Sequence, residues 1–409
     1  MPAADLLTLD ATHAIRVVPT DDGPRAAPFV LDEGEWRRAS VGDGAAAALV
    51  RRLYDDEAAT QSFRITAPES MPDSLDALDE REMGVDQTHQ SWVVGGQVVV
   101  KWMTEPLTGP HPAASRLRRL AAAGFAESPA LWGVVEWRGP GTDGWVPVAV
   151  AQTFLPGTED GWAWAVTEAR RALRIESGRS HDFAGDLGEV VGRMHLALAD
   201  DPPARLTAAL ARRHAGEALA ALDLAVRLTE EHDPDSHALL TAHRPRIEAV
   251  LAGLSDAAGA AVLPLHGDLH VGQVLRGPEG YAVIDFDGNP TRSPALRAED
   301  APAACDVAGM LISLENVSHV ARHGATVVEG GADAASLDWT ALAWTSHAQG
   351  LFLSGYRRAL ADRQDLFDPG LVPAYAWEQL CREFVYAAQH LPEWLYVPAA
   401  SLRRRLEQS

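Results

Sequence analysis

Cysteine is nearly absent: among 409 residues only Cys305 and Cys381 carry a thiol. That excludes a disulfide scaffold and a cysteine-rich zinc site. No run reaches the roughly 18 apolar residues of a membrane-spanning helix; the longest candidates are broken by charge or glycine. Residues 1–10 lack the basic region and apolar core of a signal peptide, so the cytoplasm is the expected location. Cations are scarce as well, with 35 basic against 57 acidic residues and a formal net charge of -22. No long Lys/Arg cluster is present, Arg403 to Arg405 being only a short basic end, so neither a nucleic-acid surface nor a membrane contact is expected. An anionic substrate would need a local cation. No Gly-x-Gly-x-x-Gly precedes Lys101, and no Gly-x-x-x-x-Gly-Lys-Ser/Thr occurs, which leaves the dinucleotide and P-loop readings without support. No repeat is present, and the alanine enrichment raises helix propensity without pointing to a function.

What is present is an ordinary globular composition, 47% hydrophobic and 22% charged, in a chain long enough for two or three domains. Residues 1–88 read as a small N-terminal cap. Strand-like pieces at 15–18, 29–31 and 63–66 surround a short helical run at 45–53, and an acidic, proline-containing connector follows at 67–79. Residues 89–157 read as a β-rich lobe. Runs at 90–94 and 97–102 flank the Gly95-Gly96 turn as a hairpin. A helix starts at His111-Pro112 and stops at Gly124, and strands follow at 131–137 and 145–154. Residues 158–409 shift to helix formers. Helices are expected at 161–175, 186–200, 206–229 (one bent helix or two), 243–254, 304–316, 337–362, 373–390 and 399–407, with a polar Gly-rich link at 323–334. The boundary near 155–160 predicts a ligand cleft between the lobes.

The chemistry concentrates in His266-Gly267-Asp268-Leu269-His270-Val271-Gly272-Gln273 and, 17 residues after Asp268, Asp285-Phe286-Asp287. Between the two acids lie an apolar run, a Gly277 to Gly280 turn and a second apolar run, which predicts a hairpin with an acid at each end. Asp268 suits proton acceptance from a substrate hydroxyl. Asp285 ends an apolar run, where a carboxylate needs a partner such as a divalent cation. Gln273 offers a neutral oxygen to the same ion, and Asp287 a second carboxylate. A hydrolytic metal triad of His266, Asp268 and His270 is the lesser reading, because no outlying His completes it. His266 is expected to hold the loop, and His270 to face substrate or solvent. Lys101, at the end of an apolar strand, is the candidate phosphate contact, with Ser91 one hairpin strand before it. His195 reads as a packed histidine.

These residues, together with Ile284-Asp285-Phe286-Asp287-Gly288-Asn289-Pro290, Gly161-Trp162 and Asp306-Val307-Ala308-Gly309-Met310, resemble the bacterial maltokinases and their relatives the actinobacterial glucosamine kinases. Both belong to the aminoglycoside-phosphotransferase-like group. The resemblance implies an α+β, bilobal, protein-kinase-like fold with an N-terminal cap subdomain and a mainly helical C-terminal lobe. It implies ATP and Mg²⁺ as cofactors, Asp268 as catalytic base, Gln273 and Asp285 as metal ligands, and Lys101 on the phosphates. The segment around Gln152 and Phe154 would meet the adenine. Where maltokinases run Asp-Leu-Glu after His-Pro, this chain has Ala113-Ala114-Ser115, so the acid that would orient Lys101 is missing. In the C-terminal helix Glu383 stands where maltokinases have Lys. Glu383, Tyr386, Asp300, Asp287 and His270 are then the expected sugar contacts, with carboxylates for an ammonium. The expected reaction is phosphorylation of glucosamine to glucosamine 6-phosphate by a monomer or weak dimer. The alternatives are maltose 1-phosphate formation, an aminoglycoside phosphotransferase, and a kinase-like binding protein without activity.

Overall fold

The computed structural model describes residues 5–20, 23–54, 60–66, 78–83, 90–105, 111–142, 144–175, 178, 180–325 and 334–407. Most of the expected connector at 67–79, most of the expected link at 323–334 and the expected boundary at 88 lie outside them. The chain divides into two compact units, Met1–Thr158 and Glu159–Ser409.

In the first unit β1 (Asp5–Thr8), β2 (His13–Thr20), β3 (Gly23–Asp32) and β4 (Glu35–Arg38) form an antiparallel meander, followed by α1 (Ala45–Leu53). Next come β5 (Phe63–Thr66), β6 (Glu80–Glu82), β7 (Gln90–Val94), β8 (Val98–Trp102), α2 (Pro112–Ala122), β9 (Leu131–Trp137) and β10 (Val146–Thr153). The last six strands make one sheet in the order β5-β9-β10-β8-β7-β6. Its two edge strands therefore come from residues before 88. One apolar core joins Leu7, Ile15 and Val17 of the meander, α1, and Val98, Val100, Trp102, Trp137 and Val148 of the six-stranded sheet. Side chains alternate along a strand, so Val99 and Lys101 of β8 face away from that core, half-buried. Glu80 ties the parts together: its carboxylate accepts from the amides of Gly42 (2.8 Å), Gly44 (3.0 Å), Ala46 (2.7 Å) and Ala47 (3.0 Å). These include N–H groups that a helix start leaves without partners. Three-residue β6 is too short and polar to read as a strand from sequence.

The second unit opens with α3 (Gly161–Ala172), α4 (Ala184–Leu198), β11 (Ala204–Arg205), α5 (Ala208–His232) and α6 (Pro234–Ala252). It continues with β12 (Ala261–Val262), β13 (Val274–Gly277), β14 (Gly280–Val283), α7 (Pro294–Ala298), α8 (Ala304–Ala325), α9 (Ala334–Leu360), α10 (Val372–His390) and α11 (Tyr396–Glu407). The main helix pairs are α4 with α9, and α10 with both α5 and α8. α5 is one continuous helix. α6 starts nine residues before the expected 243, with Asp233 accepting from the Ser236 amide and Pro234 at its first turn. Pro245 lies inside α6 and conceals its first half from a sequence reading. The expected hairpin is β13–β14, with Val274 opposite Val283.

Candidate active site

The loop before β13 is held from below by a buried acid. Asp306, in the first turn of α8, accepts the amides of His266 and Gly267, each at 2.8 Å. It also meets His195 Nε2 at 3.2 Å, and His195 Nδ1 lies 2.8 Å from the Tyr356 hydroxyl. An ionised Asp306 only accepts, so His195 donates to it from Nε2, and the Tyr356 hydroxyl meets Nδ1. Burial works to raise the Asp306 pKa, but the hydrogen bond and charge of His195, with His266 and the Gly267 amide, bring it below the ordinary carboxylate value. His195 and Asp306 thus hold the loop in place; the sequence shows Asp306 only within the resemblance and His195 only as a packed residue. An acid inside the apolar run Ala303 to Met310 was the available signal.

His266 straps the loop to the strand that leads to Asp285. Its Nε2 donates to the Ile284 carbonyl at 2.8 Å, Nδ1 accepts from the Asp268 amide at 3.3 Å, and the ring lies 4.9 Å from that of Phe286. Both nitrogens are engaged, so His266 fits the loop-holding role and not the metal triad. Asp268 accepts from Asn289 Nδ2 at 2.8 Å. Asn289 is fixed in turn by its own amide on the Gly267 carbonyl (3.2 Å) and by Thr291, whose amide and hydroxyl reach its Oδ1 at 2.9 and 2.6 Å. Burial raises the Asp268 pKa, His270 and His266 oppose, and Asp285 and Asp306 add to the rise.

Asp285 sits just past β14 with φ +64°, a left-handed conformation that an aspartate tolerates better than most residues. This turns the Asp285 carboxylate outward while Phe286 goes into the core. The Ile284 amide donates to the Gln273 carbonyl at 2.9 Å, which sets Gln273 beside Asp285 at one end of the hairpin. The two offer only oxygen ligands if the Gln273 carbonyl oxygen faces the ion, a set that suits a hard divalent cation. His270 Nδ1 accepts the Gly272 amide at 3.1 Å, its ring stands 6.3 Å from that of Trp162, and burial holds its pKa below the ordinary value. Asp287 and Asp268 are the two acids whose charge acts on the Arg297 guanidinium. The structure therefore gathers Asp268, His270, Gln273, Asp285 and Asp287.

α3 packs hard against this loop. A Cβ on Gly161 would lie 1.7 Å from the Val271 carbonyl oxygen. From the other side α10 reaches Asp268 through buried Arg382, whose Nη1 donates to the Thr291 carbonyl (2.8 Å) and hydroxyl (3.2 Å). Glu378 holds Arg382 at 2.8 and 3.0 Å and Arg292 at 3.0 Å. Glu383 lies one residue round the helix from Arg382, accepts from Asn316 of α8 at 2.7 Å, and is pushed up to about 7 by burial. Tyr386 is exposed, its ring 4.9 Å from that of His390. Asp300 is half-buried, next to the Leu263–Ala301 bridge.

In the first unit Ser91 pairs with Lys101, Lys101 with Val150, and Val99 with Gln152. Ser91, Lys101 and Gln152 thus share the sheet face opposite the apolar core. The Phe154 amide donates to the Gln97 carbonyl at 2.6 Å, and the Arg81 guanidinium lies 4.9 Å from its ring. α2 brings no acid toward the sheet; Arg118 anchors it to buried Glu136 at 2.6 Å, which also takes Arg64 at 2.6 and 2.9 Å. Lys101 is the single lysine among the 35 basic residues, a signal of constraint that the strand pattern alone does not carry.

Residues 91–345 match the model of the phosphotransferase enzyme family, and the chain belongs to that family. Its fold is the kinase-like one, with an N-terminal β-rich lobe and a C-terminal helical lobe. The chain is similar to a glucosamine kinase of Mycolicibacterium smegmatis, 39% identical over 99% of this chain and 98% of the relative. It is similar at the same identity to one of Streptacidiphilus jiangxiensis, over 97% of this chain and 89% of that one. A solved glucosamine kinase in complex with glucosamine, ADP and inorganic phosphate superposes with a TM-score of 0.82 at 36% identity, covering 98% and 93% of the two chains. A second crystal form gives a TM-score of 0.84 over 99% and 93%.

Proposed function

We propose that this chain transfers the γ-phosphoryl group of ATP to the 6-hydroxyl of glucosamine, giving glucosamine 6-phosphate. The observation that carries the reading is Asp268, held by Asn289 and a doubly anchored loop beside Asp285 and Gln273, in a chain alike over its whole length to glucosamine kinases. Asp268 accepts the hydroxyl proton and aims the oxygen. Its raised pKa makes it a better proton acceptor, at the cost of being harder to ionise. Gln273 and Asp285 would hold Mg²⁺, which when bound supplies positive charge against the phosphates. Lys101 adds a fixed cation, with Ser91, Gln152 and Phe154 lining the nucleotide side. Asp287, Asp300, His270, Glu383 and Tyr386 remain the proposed sugar contacts, their carboxylates reading the ammonium.

ATP and the sugar are the only partners this reading requires, and it suits a cytoplasmic monomer or weak dimer. ATP consumption with Mg²⁺ across glucosamine, glucose, N-acetylglucosamine, maltose and an aminoglycoside tests it. Preference for glucosamine over glucose is expected. Turnover of maltose or the aminoglycoside alone would replace the substrate, and no turnover with ATP still bound would favour a binding protein.

A further inference from the structure

We propose that the outer face of the β1–β4 meander is a second, non-catalytic site that binds a phosphate monoester dianion. The register sets it up. Arg16 lies opposite Ala27, Val18 opposite Arg25, and Phe29 opposite Arg38. Alternation sends Ile15, Val17 and Ala26 into the core, so Arg16, Arg25 and Arg38 converge on the other face around Phe29. They wall a cavity of about 350 Å³ with Phe29, Thr104 and Glu105. That volume fits a ligand of sugar-phosphate size, at the small end of ligand pockets.

The arginines have fixed places. The Arg16 guanidinium lies 5.5 Å from the Phe29 ring centroid, Arg38 Nη2 donates to Gln90 Oε1 at 3.2 Å, and Arg25 pairs with Glu105. Each contact engages a small part of a five-donor fork, and forks of this kind match phosphate oxygens two at a time. Three cations against one acid run counter to a chain of net charge -22. Glu105 adds a partner for an ammonium or hydroxyl on the same ligand, so a sugar phosphate uses more of the cavity than free phosphate does.

The cavity is wired to the nucleotide strands. The Ala26 amide donates to the Thr104 carbonyl at 3.0 Å, three residues past Lys101 on the same run. Arg38 holds Gln90, the residue before Ser91. A ligand here therefore acts on the ends of β7 and β8 and is read as a change in the KM for ATP.

The test is calorimetric titration of the full chain with inorganic phosphate, glucose 6-phosphate and glucosamine 6-phosphate, comparing wild type, Asp268→Asn and the pair Arg16→Ala/Arg38→Ala. We expect sugar-phosphate affinity at this site to survive in Asp268→Asn and to fall at least about tenfold in the arginine pair, the loss of roughly one bidentate contact. Equal binding of inorganic phosphate, lost in the same pair, supports the site and makes free phosphate its ligand. Unchanged binding in the arginine pair, or no binding to wild type beyond the active site, overturns the proposal. Ala27→Leu guards against misfolding of the pair, since it fills the cavity floor and leaves every charge in place. Loss of binding in Ala27→Leu supports the site, and unchanged binding overturns it.

Discussion

A carboxylate used as a base must ionise where ionisation is costly, and Asp268, the proposed base, meets both conditions. Burial raises its pKa, and the charges of His270 and His266 oppose the rise. A folded pKa above the unfolded one means that the folded state binds more protons between the two values, so Asp268 costs stability as pH climbs through that window. Asp268→Asn removes that cost. It should therefore match or exceed the wild type in melting temperature at pH 7 to 8, while kcat falls by about 10²–10⁴, the usual share of a general base. A variant that is less stable and still active would sink the assignment. For the wild type, kcat should fall with acid at a higher pH than an ordinary carboxylate gives. Lys101 permits a separate check. As the single lysine side chain, it is the one ε-amine that an acylating reagent can modify, and ATP should protect it and preserve activity together. Activity loss that ATP does not slow would remove Lys101 from the phosphates. Both candidates stand out in the sequence because their signals are local. Asp306 and His195 were not, because their partners lie 40 and 111 residues away, and only packing brings these together.

Elements on two sides pack against the loop, and two contacts show how closely. At the start of α3 there is no room for a methyl group: Gly161→Ala would place Cβ 1.7 Å from the Val271 carbonyl oxygen and 2.9 Å from that of Val274. Backbone has to move, at about 1–3 kcal/mol for overpacking, and what moves is the turn carrying Gln273. The expected outcome is a higher Mg²⁺ requirement for turnover with a modest loss of thermal stability; an unchanged Mg²⁺ titration would separate α3 from the proposed metal ligands. On α10 the chain Glu378–Arg382–Thr291–Asn289–Asp268 calls for a gentler probe. Arg382→Met would leave Glu378 with one buried partner fewer and cost about 3–5 kcal/mol, which confounds any rate. Thr291→Val removes the two hydroxyl bonds, one given to Asn289 Oδ1 and one taken from Arg382 Nη1, about 1 kcal/mol each, and leaves Asn289 less firmly set. Its signature is a shift in the pH dependence of kcat with the KM for ATP unchanged; a stability loss alone would make the chain merely structural. The α10 helix was readable by its periodicity. Which of its faces meets the catalytic loop was not, since Glu378, Arg382 and Glu383 are all charged and only the fold sends the first two toward Thr291 and the third toward Asn316.

At the scale of the molecule, element types were largely legible because apolar periodicity is strong in both halves. The joining of the first 88 residues to the sheet was not. Its two edge strands are short, and β6 carries Glu80-Arg81-Glu82 in place of an apolar run. Leu7, Ile15 and Val17 share one core with Val98, Val100, Trp102 and Trp137. Removing residues 1–44 therefore strips the cover from that face of the six-stranded sheet and deprives Glu80 of the Gly42 and Gly44 amides. A self-contained cap would leave a truncated chain that melts cooperatively and still binds ATP. The shared core instead predicts a truncated chain that exposes apolar surface to a hydrophobic dye, loses near-ultraviolet dichroism from its tryptophans and fails to bind nucleotide. Glu80→Ala in the intact chain makes the milder case. It removes the one carboxylate that serves four amides, with a cost near the upper end for a lost helix cap, about 2 kcal/mol. Its unfolding should remain one cooperative transition for the first unit, shifted to lower temperature. Two separate transitions within that unit would show that cap and sheet fold apart, and the single core would then be the wrong account of what holds Lys101 in place.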